Sequence, residues 1–168
     1  MIIGSEIIFL SNVVSTNTTA ADYIRSGMTR EGMVIRAGYQ SAGKGQLGNS
    51  WESEDGKNLL FSIILFPNML AATEQFLLCE FISLGIHDYL NTIISGCKIK
   101  WPNDIYAGDD KIAGILIENS LAGNAITSSV AGIGLNINQE VFSEQIPNPV
   151  SLKMITGINY DTDLCLKG

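Results

Sequence analysis

The sequence predicts an α+β domain, a sheet with helices packed against it, and its most regular stretches carry that expectation. Residues 58–66 are a nearly continuous apolar run with β-branched and aromatic members, which fits a buried strand ended by Pro67. Residues 105–107 and 111–118 are apolar runs flanking Gly108-Asp109-Asp110, whose residues tolerate turn dihedrals, so the segment reads as a β-hairpin. Across residues 73–93 the apolar positions Leu78, Ile82, Ile86, Tyr89, Leu90 and Ile93 recur at helical spacing, marking a long helix packed on a sheet. At 168 residues the chain fits one domain, residues 1–168, long enough for a sizeable core.

Taken in order, residues 6–10 read as the first strand. The polar run Ser15-Thr16-Asn17-Thr18-Thr19 then heads a helix that ends near Gly27. Ser, Thr and Asn at a helix start either cap orphan backbone N–H groups or join those donors in holding a polar ligand, and both readings stay open. Residues 33–39 form the second strand and run into Gln40-Ser41-Ala42-Gly43-Lys44-Gly45-Gln46-Leu47-Gly48-Asn49-Ser50-Trp51. Residues 43–48 match the G-x-G-x-x-G pattern, but a dinucleotide site needs a helix directly after it, and residues 49–58 are turn formers and charges. The segment is read as a flexible loop whose glycines let the backbone approach a ligand, with Lys44 as the cation for a phosphate or carboxylate.

Residues 99–101 read as a short strand. Pro102 ends it and presents Asn103 and Asp104 at a rigid turn, and the following hairpin carries Lys111 in beside that turn. Gly123-Asn124 makes another turn, and residues 125–138 form the final strand. Alternating Gly132 and Gly134 weaken a strand unless something approaches its backbone, either a ligand or the long helix.

Composition narrows the function classes. Ten Lys and Arg stand against 17 Asp and Glu, a net charge of −7, with the basic residues scattered; this disfavours non-specific binding to DNA or an anionic membrane. The apolar runs fall far short of the ~20 residues that span a bilayer. The start Met1-Ile2-Ile3-Gly4-Ser5-Glu6 has no basic region before an apolar stretch, so no signal peptide and a cytoplasmic location are expected. Cys79, Cys97 and Cys165 share no metal-like spacing and read as unpaired, packed thiols. His87, the single histidine, lies on the long helix, where a structural or surface role is expected, which gives a hydrolase triad little support.

The run Lys98-Ile99-Lys100-Trp101-Pro102-Asn103-Asp104-Ile105-Tyr106, followed by Lys111-Ile112-Ala113-Gly114-Ile115-Leu116-Ile117-Glu118, resembles the central signature of the biotin protein ligases. The resemblance implies a biotin ligase-like fold of the class II aminoacyl-tRNA synthetase type, a mixed, largely antiparallel sheet with helices packed on one face. It implies that ATP and biotin form biotinoyl-5′-AMP, and that the biotinoyl group passes to a lysine of a biotin carboxyl carrier protein. Mg²⁺ would be held mainly through the phosphates. By the same resemblance, Ser15, Thr16 and Asn17 would hold the biotin ureido group. Gln40, Gly43, Lys44, Gly45, Gln46, Lys111, Gly114 and Gly132 would complete the biotin site. The nucleotide would meet Lys44, Trp51, Asn103, Asp104, Lys111 and Asn136, with Trp51 stacking the adenine and Trp101 structural. Lys111 and Lys44 are the candidate catalytic cations.

Lys44 and Gln46 stand where the family's loop usually has arginines, and a lysine offers a point charge without the bidentate fork of arginine. The resemblance covers a catalytic domain, with neither an N-terminal DNA-binding domain nor the family's SH3-like C-terminal domain expected within these residues. A homodimer is one assembly open to it. A lipoate or octanoate transferase of the same superfamily shares the lysine but lacks the Trp-Pro-Asn-Asp turn, which favours biotin; a non-catalytic biotin-binding domain is the other alternative.

Overall fold

A computed structural model describes residues 3–167; Met1 and Ile2, where the reading of the chain start begins, and the terminal Gly168 lie outside the described residues. The elements in order are β1 (Ile7–Val13), α1 (Thr16–Arg25), β2 (Val34–Gln40), β3 (Gly43–Lys44), β4 (Ser50–Trp51), β5 (Leu59–Leu65), α2 (Phe76–Asn91) and β6 (Cys97–Lys100). They continue with β7 (Asp104–Ala107), β8 (Asp110–Ala122), β9 (Ala125–Leu135), α3 (Leu152–Thr156) and α4 (Thr162–Cys165).

The main sheet runs β1-β2-β5-β9-β8-β7-β6, and β3 and β4 form a separate two-stranded ribbon. Only the β1–β2 pair of the main sheet is parallel; the rest are antiparallel, so the sheet is mixed and largely antiparallel, as the resemblance implies. A parallel pair needs a crossover, and α1 supplies it. The predicted hairpin is present as β7 and β8, turning at Gly108 with φ +64°, and β8 turns into β9 at Gly123 with φ +61°.

One expectation is corrected: the helices cover both faces of the sheet. Phe61, Ile63 and Leu65 of β5 cluster with Ile82 and Leu90 of α2, whereas Ile64 clusters with Ala20 of α1, Met33, Ile35 and Val130. Successive strand residues point to opposite faces, so α2 and α1 lie on opposite sides. The continuous apolar run of β5 is the physical reason, because a strand covered on both faces cannot alternate. Every residue of β5 is buried. The long helix is shorter than 73–93 because Ala72–Glu74 form a separate 3₁₀ turn, whose Glu74 Oε2 accepts from Ala71 N at 3.2 Å. Strand β1 extends past residue 10 by pairing along β2, while β9 stops at Leu135, where Asn136 leaves the ladder.

Trp101 ends outside β6 and holds no core position. Its side chain is largely exposed, at 75% of its surface, and tilts against Phe76 with ring centroids 5.9 Å apart. Beyond the sheet, Arg36 of β2 pairs with Asp163 and donates to Thr162 Oγ1 at 2.7 Å, fastening α4; burial pulls the Arg36 guanidinium below its usual pKa. Among the described residues no helix is long and apolar enough to cross a membrane.

Candidate active site

The turn after β6 is fixed to the sheet before it contributes any chemistry. Asn103 is buried, and its Nδ2 donates to Ile115 O at 2.7 Å while Ile115 N donates to Asn103 O at 2.9 Å. From behind, the Cys79 thiol donates to Pro102 O at 3.0 Å, and burial pushes that thiol above its ordinary pKa, keeping the proton available to donate. Asp104 then opens β7 opposite Gly114 of β8. Lys111 Nζ lies 2.8 Å from Asp104 Oδ1, yet that oxygen meets no properly directed donor among the described residues. The pair is close but misaligned, so both groups retain capacity for a third partner. The start of β8 is clamped by the later chain, with Lys111 N donating to Asn148 O at 2.7 Å and Val150 N to Lys111 O at 3.0 Å.

The first turn of α1 faces this pair. Ser15 is the N-cap residue but its side chain makes no capping bond; instead Gln40 Oε1 accepts from Thr16 N at 2.7 Å and from Thr16 Oγ1 at 3.1 Å. The local-cap reading of the Ser-Thr-Asn run is thereby corrected, since the cap comes from the adjacent strand and leaves the buried Ser15 side chain facing the cleft. Asn17 is held by Ser62 Oγ, which donates to its Oδ1 at 2.7 Å, and by Leu116 O and Glu118 Oε2, which accept from its Nδ2 at 3.3 and 2.8 Å. Gly132 is the reason the strand can pass so near: a Cβ there would lie 2.1 Å from Asn17 Oδ1. The partner approaching this backbone is therefore α1, on the face opposite the long helix.

The segment expected as a flexible loop is folded into the β3–β4 ribbon, with Gly43 opposite Trp51 and Lys44 opposite Ser50. Gly43 lets the two strands of the ribbon approach, because a Cβ would clash with Trp51 O, and it is not among the residues that line the cleft. Lys44 Nζ reaches Glu118 Oε1 at 3.4 Å. The Trp51 ring lies over Gly114 and Gly134, with Lys111 Nζ 5.7 Å from the ring centroid, and its Nε1 is buried without a partner among the described residues.

These parts line one open cleft. Ser15, Thr16, Asn17, Gln40, Lys44, Gly45 and Gln46 line it. Trp51, Asn103, Asp104, Lys111, Gly114 and Gly132 line it as well. Asn136 lies outside it, lining an adjoining depression that shares Trp51, Asp104 and Lys111. Its amide is engaged in holding the chain, with Nδ2 donating to Val150 O at 3.0 Å and Oδ1 3.4 Å from Asn58 Nδ2. The sequence did not mark Glu118 or Ser62 as site residues, and it marked Gly134 only as a place where something approaches the backbone. Glu118 was detectable from strand alternation, which places it on the same face as Gly114 and Leu116, a carboxylate among apolar neighbours. Among the described residues no group of three or more His, Cys, Asp or Glu gathers as a metal cage.

A sequence model of the biotin/lipoate A/B protein ligase family matches residues 10–136. The bifunctional ligase/repressor BirA of Bacillus spizizenii is 32% identical over 152 residues, 88% of this chain and 44% of that protein. The biotin–[acetyl-CoA-carboxylase] ligase of Paracoccus denitrificans is 32% identical over 133 residues, 76% of this chain and 53% of that protein. The chain thus spans about half the length of these curated relatives. Among solved structures, the biotin protein ligase from Aquifex aeolicus in complex with biotin and ATP superposes with a TM-score of 0.81 at 30% identity, covering 97% of this chain and 66% of that one.

Proposed function

Because the chain belongs to the biotin/lipoate A/B protein ligase family, we propose that it joins biotin to ATP and passes the biotinoyl group to a specific lysine of a biotin carboxyl carrier protein. The observation that carries this reading is that Lys111 and Lys44 line one cleft together with the polar first turn of α1. In the first step a biotin carboxylate oxygen attacks the α-phosphorus of ATP and pyrophosphate leaves, giving biotinoyl-5′-AMP. Two anions must be brought together and the charge growing on phosphorus neutralised, which is work for positioned cations. Lys111, held at a fixed place by β8 and by Asp104, would stand between the carboxylate and the α-phosphate. Lys44, on the ribbon, would meet the outer phosphates.

In the second step the carrier's lysine amine attacks the carbonyl of the mixed anhydride, the C–O bond to phosphate breaks, and AMP leaves. Asp104 would orient that incoming amine. Trp51 would stack the adenine after shifting from the sheet glycines. Asp104 lines the cleft and Glu118 stands at its rim, too few carboxylates for a cage, so Mg²⁺ would bind mainly through the phosphates and add further neutralisation there. Mixing the protein with biotin and MgATP and searching by mass spectrometry for biotinoyl-5′-AMP tests the reading. Formation of the adenylate and AMP supports it. Biotin binding without AMP would make the chain a non-catalytic binding domain, and adenylate formed from lipoate or octanoate in preference to biotin would move it to the sister activity.

A further inference from the structure

Glu118 lies on the face of β8 that meets α1, and its carboxylate oxygens serve two different walls of the cleft. Oε2 accepts from Asn17 Nδ2 at 2.8 Å, and Oε1 lies 3.4 Å from Lys44 Nζ. A side-chain amide has two N–H donors and an oxygen with two lone pairs. Asn17 directs its donors at Glu118 and Leu116 O, and Ser62 Oγ occupies one lone pair of its Oδ1. What remains for a ligand is the second lone pair of Oδ1, an acceptor. Flipping the amide would set its oxygen against the Glu118 carboxylate and the Leu116 carbonyl, so the carboxylate fixes the orientation.

We propose that Glu118 is a positioning residue for biotin activation: it presents Asn17 as an acceptor to a ureido N–H, and it engages Lys44 until a polyphosphate takes its place. The inference rests on the function proposed above. The Lys44 and Glu118 side chains are each 46% exposed, so their pair is weak, on the order of a two- to fivefold bias, and a triphosphate with several charges displaces it. The Asn17 contact is on the inner oxygen and resists exchange.

The test measures biotin Kd by calorimetry and the ATP KM in biotin-dependent pyrophosphate exchange for the unmutated chain, Glu118→Gln and Glu118→Leu, with a thermal melt of each. Glu118→Gln keeps an acceptor for Asn17 and loses the charge, so biotin Kd is expected to stay within about twofold while the ATP KM falls about two- to fivefold. Glu118→Leu loses both contacts, and biotin Kd is expected to weaken about tenfold. An unchanged ATP KM in Glu118→Gln overturns the inference even if the Leu variant fails to fold, and so does an unchanged biotin Kd in a folded Glu118→Leu. An unmutated chain that neither binds biotin nor exchanges pyrophosphate would overturn the underlying reading, a result distinct from both.

Discussion

The two walls of the cleft are built on different physical terms. One is the central sheet, where Asp104, Lys111, Gly114 and Gly132 lie on strands paired on both sides and Asn103 is bonded into β8. The other is the β3–β4 ribbon, a pair of two-residue strands whose Lys44 is tied down by a half-exposed ion pair and whose Leu47 is fully exposed with φ +54°. The sheet fixes positions to the precision that bond-making needs. The ribbon, with few backbone bonds, can open and close at little cost in free energy. A site that must admit two substrates and then exclude water needs both kinds of wall.

Lys111→Ala is the change that breaks the comparison most severely. Loss of the sheet-held cation is expected to lower biotin-dependent ATP–pyrophosphate exchange by about 10²- to 10³-fold with the thermal midpoint nearly unchanged. Gly132→Ala should come next. The added methyl must push Asn17 out of a pocket closed by Ser62, Leu116 and Glu118, so biotin affinity is expected to fall at least about tenfold and stability by about 1–3 kcal/mol. Calorimetric titration and thermal melting read the two effects.

Gly134→Ala sharpens the contrast, because its methyl would lie 2.3 Å from Trp51 Cε2, the end of a side chain carried by the movable wall. Here the indole should swing out and the tryptophan emission shift to the red, with the melting midpoint within about 2 °C of the parent. Lys44→Ala is expected to weaken retention of the adenylate only about fivefold, as fits an exposed charge, measured by its release rate. The smallest effect concerns pH. Burial raises the pKa of the Cys79 and Cys97 thiols and of the Tyr89 hydroxyl, so the unfolded chain loses these protons first as pH rises. Their contribution is intact below the ordinary thiol pKa of ~8.5 and fades above it, so the thermal midpoint should begin to decline past about pH 8.5.

Local pattern announced what local physics determines. The β7–β8 hairpin, the apolar face of α2 and the approach of Lys111 to the Asn-Asp turn follow from periodicity and from turn residues a few positions apart. The contacts that were not legible join distant segments: Gln40 to Thr16, Glu118 to Asn17 and Lys44, and the Trp51 ring to Gly134. Glycine spacing in residues 131–138 indicated that something comes close, and only the structure names α1 and Trp51 as what does. Coverage of both sheet faces was within reach of the sequence, since β5 does not alternate.

The cap on α1 has a bearing on how this chain acquires its shape. A helix of 10 residues is marginal on its own, and this one takes the acceptor for its leading amide from β2, which the chain enters only after the helix ends. Its order is therefore borrowed from the sheet: until β2 has docked, the Thr16 amide and hydroxyl lack their acceptor and the segment has little reason to stay coiled. The polar end of the cleft is then among the last parts to set, and slow hydrogen exchange should reach α1 after it has reached β5 and β9.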